Sequence, residues 1–328
     1  MLLIDGDEVE RAANMKTIMN AVENAFSEVS RGSVIAPRRS QIQLNRHNGT
    51  IFIMPSYIEG AEIFAAKIVS SHPDNPDRFE TPTISGYIML IDPKNGEAIA
   101  LMDGKYITAL RTGAVSGLAI KYMARKESSR IGMIGTGIQA RTQLIGAKEV
   151  LDHIDEVCVF DKIPLRSATF AAEMSSELGL DIIKVKNNED AVCSMDVVIE
   201  ATTSMTPVFD GDWLKEGAHI NSVGWMGPSS RQLDDATIRR SRIVVDTLEG
   251  ALAESGDLII PLEQGVIEQN SVRAELSEVI SGTVEGRTDD KEITLFKAVG
   301  FAPADAAAAK AVYDVAVGKG IGKMANLN

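Results

Sequence analysis

Residues 130 to 150, RIGMIGTGIQARTQLIGAKEV, set a short apolar run directly before Gly135-Thr136-Gly137-Ile138-Gln139-Ala140, with a helical pattern after it. Glycines in this spacing let the chain turn tightly and let a pyrophosphate approach the backbone at a helix N-terminus. The unpaired N–H groups and partial positive charge there favour an anion. Gly135, Gly137 and Ala140 fill the three positions, with alanine tolerated at the third. The run EVCVFD follows, and its Asp161 stands about 20 residues after Ala140, where an acid accepts hydrogen bonds from an adenosine ribose and repels a 2′-phosphate. The pattern implies a dinucleotide, and NAD over NADP, although Lys162 and Arg166 lie close enough to temper the preference. The expected cofactor contacts include Ile138 and Gln139 at the helix start. Thr202 and Val223, at the ends of later apolar runs, belong to the same set.

A dinucleotide that carries hydride needs groups beside it that hold a substrate and balance its charge. The region before the glycine motif offers cations in structured segments: Arg38 and Arg39 after Pro37, Lys67 within FAAKIVS, and Arg111 within TALRTGA. A strand lysine between apolar neighbours often just reaches solvent. An arginine in a helix of small residues has fewer ways out. Together they suggest a carboxylate-binding pocket facing the nucleotide.

Two kinds of architecture position these groups. Residues 8 to 30 read as one amphipathic helix, with Ala12, Met15, Ile18, Met19, Val22 and Phe26 on one face and Gly32 as its stop. Short strands follow near 40–44, 50–54 and 63–70, then a β-hairpin in ISGYIMLIDPKNGEAIALMD, so residues 1 to about 105 form a small α+β unit. A helix from Tyr106 through Arg125 is dense in small residues, which suggests close packing against another backbone. Strands expected at 130–134, 156–160, 182–186, 196–200, 219–223 and 242–246 alternate with helices, the pattern of a Rossmann-type doubly wound parallel sheet. An alanine-rich helix over 304–317 ends at Gly318, and the charged run EGRTDDKE at 285–292 reads as a solvated loop.

Composition narrows the function classes. The 328 residues are 45% apolar and 24% charged, and the net charge of −13 argues against nucleic acid or an anionic membrane as main partner. Cys158 and Cys193 are too few for a disulfide framework, which fits a reducing cytoplasm. His47, His72, His153 and His219 stand too far apart for metal-ligand spacing, so no metal is expected. The N-terminal stretch has acids where a signal peptide needs basic residues, and no run approaches transmembrane length.

Four further stretches, HINSVGWMGPSSRQLD, MDGKYITALRTGA, KIVSSHPDNP and EITLFKAVGFAPAD, resemble the ornithine cyclodeaminase/μ-crystallin family, in order and essentially end to end. MDGKYITALRTGA and SSHPDNP look most like its archaeal-type alanine dehydrogenases. The resemblance implies a substrate and dimerisation domain from residues 1–119 with 304–328, and a Rossmann domain over 120–303. It also implies a homodimer joined through the sheets of the first domain. Arg38 (with Arg39 beside it), Lys67 and Arg111 would bind a substrate α-carboxylate, Lys67 would also be catalytic, and Thr112 would lie near the cofactor pyrophosphate.

Two departures from the family pattern bear on the reaction. Cyclodeaminases have Glu-Leu-Met-Pro where this chain has Phe52-Ile53-Met54-Pro55, and they, and usually the alanine dehydrogenases too, have a catalytic aspartate where it has Met226. Cyclodeamination must handle two amines and needs such acid–base groups. A protonated imine is already electrophilic, and needs a carboxylate clamp, orientation and a hydride. The leading expectation is therefore NADH-dependent reduction of an α-imino acid, or reductive amination of a 2-oxo acid, to an L-amino acid. Ornithine cyclodeamination and a non-catalytic nucleotide- and ligand-binding role are the alternatives. Trp225 and Met226 either pack in the core or line the pocket, selecting a compact apolar substrate such as alanine or a pyrroline ring. Arg39 and His72 would instead permit a second carboxylate.

Overall fold

A computed structural model describes residues 1–224 and 227–326. The chain forms two compact units, Met1–Arg111 with the segment from Ala302 onward, and Thr112–Phe301. The first unit opens with β1 (Leu2–Ile4), α1 (Gly6–Ala12) and α2 (Met15–Ser30). The single helix expected over 8–30 is thus two helices. Asp5 starts α1 through a capping box with Glu8, and Asn14, in extended conformation, restarts the chain by accepting the Thr17 N–H. The apolar face was read correctly, since all six of its expected residues are buried.

Strands β2 (Val34–Ile35), β3 (Ser40–Leu44), β4 (Gly49–Ile58) and β5 (Ile63–Ser71) follow, then α3 (Asn75–Phe79), β6 (Ile84–Ile91), β7 (Ala98–Asp103) and α4 (Gly104–Met123). The hairpin β6–β7 forms as expected, with Gly96 at φ 77° in its turn. The sheet order is β1-β7-β6-β5-β4-β2, with β3 also on β4. One face is buried, through Phe52, Met54, Ser56 and Ile58 of β4 and Ile63, Ala65 and Lys67 of β5. Lys67 pairs with Met54 on one side and Ile88 on the other, so it stands mid-sheet on that buried face.

The second unit is a parallel sheet with helices on both faces. Its elements are β8 (Arg130–Ile134), α5 (Ile138–Val150), β9 (Glu156–Phe160), α6 (Pro164–Leu178), β10 (Ile182–Lys184), α7 (Asn188–Val192) and β11 (Val197–Glu200). Then come β12 (His219–Val223), α8 (Asp235–Arg240), β13 (Ser241–Val245), α9 (Leu248–Glu254), α10 (Gly256–Glu263), β14 (Val272–Glu275), α11 (Leu276–Ile280) and β15 (Ile293–Ala298). Strand order is β10-β9-β8-β11-β12-β15-β13-β14, with every pair parallel. The order reverses between β8 and β11, the switch point at which such sheets bind ligands. All six expected strands are present, and β14 and β15 are additional. β15 enters between β12 and β13, and a lysine in its buried run ITLFKA masks the apolar signal.

Small residues do bring backbones together. A Cβ on Gly113 of α4 would be driven into the Thr142 carbonyl of α5, and one on Gly146 into the Gly113 carbonyl. The run 285–292 is not simply a solvated loop: Arg287 turns inward and donates to the carbonyls of Met123, Gly217, Ala218 and Glu292. Carbonyls left over at strand and helix ends need such donors.

The chain then returns to the first unit with α12 (Ala302–Lys319) and β16 (Lys323–Met324), the latter antiparallel to β1. Helix α12 packs on α2, β4 and β5, and its alanines permit the close approach. Among the described residues, no helix is long and apolar enough to cross a membrane, and no cluster of His, Cys, Asp and Glu could hold a metal ion.

Candidate active site

The second unit carries a cleft of about 340 Å³ at the carboxyl ends of β8, β9 and β11. Gly135 sits at φ 94°, and a Cβ there would run into the Ala201 carbonyl and meet Thr202 Cγ2 at 3.1 Å. Gly137 is the N-cap of α5, makes no side-chain capping bond, and has open space where a Cβ would point. That cradle fits a pyrophosphate at the exposed N–H groups of the helix. Ile138 is exposed beside it, and Gln139 Oε1 is buried without a hydrogen-bond partner among the described residues. Asp161 lines the cleft with Lys162 and Arg166. Thr136 Oγ1 donates to Asp161 Oδ2 at 2.7 Å and the Ile163 N–H donates to Oδ1 at 2.8 Å. Thr112, nearly buried in α4, gives its carbonyl to Gln143 Nε2 of α5 at 3.3 Å.

Thr202 and Val223 rest on a buried polar network. Glu200 Oε1 accepts the N–H of Thr202 at 2.9 Å and its hydroxyl at 2.8 Å, and Oε2 accepts the Ser222 hydroxyl at 2.9 Å. Lys297 Nζ, from β15, donates to Ser222 Oγ at 3.1 Å and pairs with Asp257 Oδ2 at 2.7 Å. Asp257 Oδ1 accepts the N–H groups of Gln232 and Leu233, and Gln232 Nε2 returns to the Thr202 carbonyl at 2.8 Å. Burial pushes the Glu200 carboxyl up, and the Lys297 charge opposes it. The network fixes the strand ends from which Thr202 and Val223 project, and sequence reading missed it because its members, from Glu200 to Lys297, are spread far along the chain and beyond one motif.

The first unit holds the cations. Lys67 Nζ lies 2.7 Å from Asp305 Oδ2, and Arg111 Nε lies 2.9 Å from Asp305 Oδ1. Lys67, Arg111 and Asp305 are 3%, 7% and 1% exposed. Burial pushes the Lys67 amine down to about 8; the Asp305 carboxylate resists this, while the charges of Arg111 and Arg39 add to it. Arg38 is exposed, whereas Arg39 is half-buried with its guanidinium 5.2 Å from the Phe52 ring centroid. The charge of Arg39 acts on Lys67. Arg39 was named among the candidate cations, whereas Asp305, which joins Lys67 and Arg111, was not anticipated. The signal for Asp305 was present as a lone acid at the head of an alanine-rich helix, PADAAAA. Phe52 is buried where the cyclodeaminase pattern has an acid. Trp225 and Met226 lie outside the described residues.

The family profile for the ornithine cyclodeaminase/mu-crystallin family matches residues 2–320. The chain belongs to this family. Among solved structures it is similar to the Δ1-pyrroline-2-carboxylate reductase of Thermococcus litoralis in complex with NADH and L-proline. Identity is 46%, coverage is 99% of this chain and 100% of that one, and the TM-score is 0.96. An archaeal alanine dehydrogenase dimer with bound NAD is 36% identical, with 100% and 99% coverage and a TM-score of 0.94. The Δ1-pyrroline-2-carboxylate reductase of Bacillus cereus is 36% identical over 323 residues, 98% of each chain. Every one of these family members spans the chain end to end, as the sequence motifs implied.

Proposed function

We propose that this protein reduces an α-imino acid to an L-amino acid with NADH, and that a cyclic imine such as Δ1-pyrroline-2-carboxylate is the substrate class. The observation that carries the reading is the buried Lys67–Asp305–Arg111 cluster, in which two cations share one carboxylate and retain a positive charge. A single α-carboxylate on the substrate balances that charge. The similarity to two Δ1-pyrroline-2-carboxylate reductases supports the choice of substrate. Reductive amination to alanine is the second reading, favoured by the likeness to the archaeal alanine dehydrogenase.

Bound NADH supplies a hydride to the C=N carbon of a protonated imine, whose proton stays on nitrogen in the product amine. The chain's own residues prepare for that. Lys67 and Arg111 clamp the carboxylate and fix which carbon is presented. Gly135, Gly137 and the N-terminus of α5 take the pyrophosphate, with Thr112, Ile138 and Gln139 beside it. Asp161 takes the adenosine ribose, and Thr202 and Val223 bear on the rest of the dinucleotide. Phe52 against Arg39 leaves that position without a carboxylate for a second amine, which speaks against ornithine cyclodeamination.

The reading includes a homodimer, supported by the open face of the first unit's sheet. Ile53, Ile68 and Tyr87 lie in register across β4, β5 and β6, as do Pro55, Ala66 and Met89, and Ile68 and Tyr87 are exposed. A face this apolar needs cover, and the archaeal alanine dehydrogenase is a dimer. The setting we infer is cytoplasmic, consistent with free Cys158 and Cys193.

The test is NADH oxidation with Δ1-pyrroline-2-carboxylate, pyruvate plus ammonia, and oxaloacetate plus ammonia, each repeated with NADPH. Turnover of an imine is expected, fastest with the cyclic one. Ornithine conversion to proline without imine turnover would overturn the reading.

A further inference from the structure

Asp305 comes from a different part of the chain than the cations it joins: Lys67 is on β5, Arg111 on α4, and Asp305 in the first turn of α12. Its two oxygens are divided between them, Oδ2 to Lys67 Nζ and Oδ1 to Arg111 Nε. An ammonium has three donors and a guanidinium five, so one bond to each orients both without exhausting either. We propose that Asp305 is a positioning residue that keeps Lys67 protonated at neutral pH and aims Lys67 and Arg111 at the substrate carboxylate. The inference rests on the imino acid reductase reading and adds to it the residue that sets the charge of the clamp.

The charges make the case. Two buried cations a few ångströms apart repel, and a buried ammonium alone loses its proton readily. Facing Lys67 are Arg111 from α4 and Arg39 from the segment before β3, both cationic, and Asp305 from α12, the carboxylate on the opposite side of the balance. Asp305 is the carboxylate that bonds Lys67 directly, and when it is removed the charges of Arg111 and Arg39 still act on Lys67, the group that can respond by becoming neutral. With Asp305 it stays an ammonium near neutrality, with a midpoint of about 8. A neutral amine binds a carboxylate far less well than an ammonium.

The experiment titrates Lys67 directly, by NMR of protein labelled with ¹³C at the lysine ε-carbon, the resonance being assigned with Lys67→Met. The wild-type midpoint is expected near 8. In Asp305→Asn it is expected to fall by roughly 1–3 pH units, and Asp305→Glu should recover most of the shift. Imine reduction requires the charged lysine, so activity falls as pH rises through the midpoint, and in Asp305→Asn that fall moves to lower pH. A structural role alone would lower activity by one factor at every pH, with no shift. If Asp305→Asn does not fold, the wild-type titration and Asp305→Glu still decide. A wild-type midpoint below neutrality, or one unmoved in a folded Asp305→Asn, overturns the proposal. Absence of imine turnover in the wild type would instead remove the reductase reading, leaving the Lys67 titration to decide whether Asp305 governs its charge.

Discussion

The Thr136 hydroxyl donates to Asp161 Oδ2 at 2.7 Å, which ties the glycine turn after β8 to the acid at the end of β9. With the Ile163 N–H on Oδ1, the carboxylate is held at both oxygens, and each oxygen keeps a further lone-pair direction for a ribose hydroxyl. Asp161→Ala removes both the acceptor and the charge that repels a 2′-phosphate. A lost hydrogen bond to a charged group costs about 1.5–3 kcal/mol, so KM for NADH should rise roughly 10-fold or more and the preference over NADPH should relax. Thr136→Val should raise that KM less and keep the preference. Comparison of kcat/KM for the two cofactors decides, and a wild-type preference for NADPH would remove Asp161 from this role.

Arg111 is engaged by Asp305 through Nε, so its substitution strips the carboxylate clamp while leaving the dinucleotide cleft untouched. Arg111→Ala should raise KM for the imino acid by at least about 10-fold, the scale of one charge-assisted hydrogen bond, with KM for NADH unchanged. Arg111→Lys should not restore it, since a point charge cannot serve Asp305 and a substrate with one rigid fork. Lys67→Ala should abolish turnover. Steady-state kinetics in both substrates are the check; an imino acid KM unmoved by Arg111→Ala takes Arg111 out of the pocket.

What could be read from sequence and what could not divide along physical lines. The glycine turn, the place of Asp161 in the cleft and the six strands were legible because each depends on local spacing: a tight turn, a period, an apolar run. The break at Asn14 needed the cap, since the apolar period runs unbroken across it. β15 was hidden by Lys297, a charge that only its partners Asp257 and Ser222 make tolerable in a buried strand. Asp305 belongs to the same class. Its meaning lies in Lys67 and Arg111, which stand 238 and 194 residues away in the chain, and no local pattern carries that.

Lys297 brings a positive charge into the network beneath Thr202, and it faces Asp257 directly and Glu200 at longer range. Removing one partner of a buried pair leaves an uncompensated charge, which costs about 3–5 kcal/mol. Lys297→Met should therefore lower stability by that order. Lys297→Met combined with Asp257→Asn should recover part of it. Urea unfolding followed by circular dichroism measures both; a loss below about 1 kcal/mol, the scale of an exposed pair, would mean that water reaches these groups.

His219 predicts how the second unit responds to acid. Its ring is fully buried in β12, with Nδ1 2.9 Å from Thr294 Oγ1 and Nε2 3.1 Å from Asn221 Oδ1. Burial pushes its pKa down to about 3, with the Arg287 charge adding to the effect and the Asn221 bond opposing it. The unfolded chain takes up a proton near the ordinary value of about 6.5, while the folded one does not until about 3. Stability is therefore lost progressively as pH falls through that window, by up to about 1.4 kcal/mol per pH unit. Between pH 6.5 and 5 the loss should amount to about 1–2 kcal/mol, and His219→Gln should not show it. Asp196 cannot supply this slope. Burial pushes its carboxyl up, but the Lys215 ammonium and the Ser129 and Arg130 N–H groups hold it down at about 2, so its own contribution is lost as pH falls from the ordinary 3.8 towards about 2, below the window of His219 between pH 6.5 and 5. Thermal unfolding of both proteins across this range is the measurement, and parallel pH slopes would place the acid sensitivity in some group other than His219.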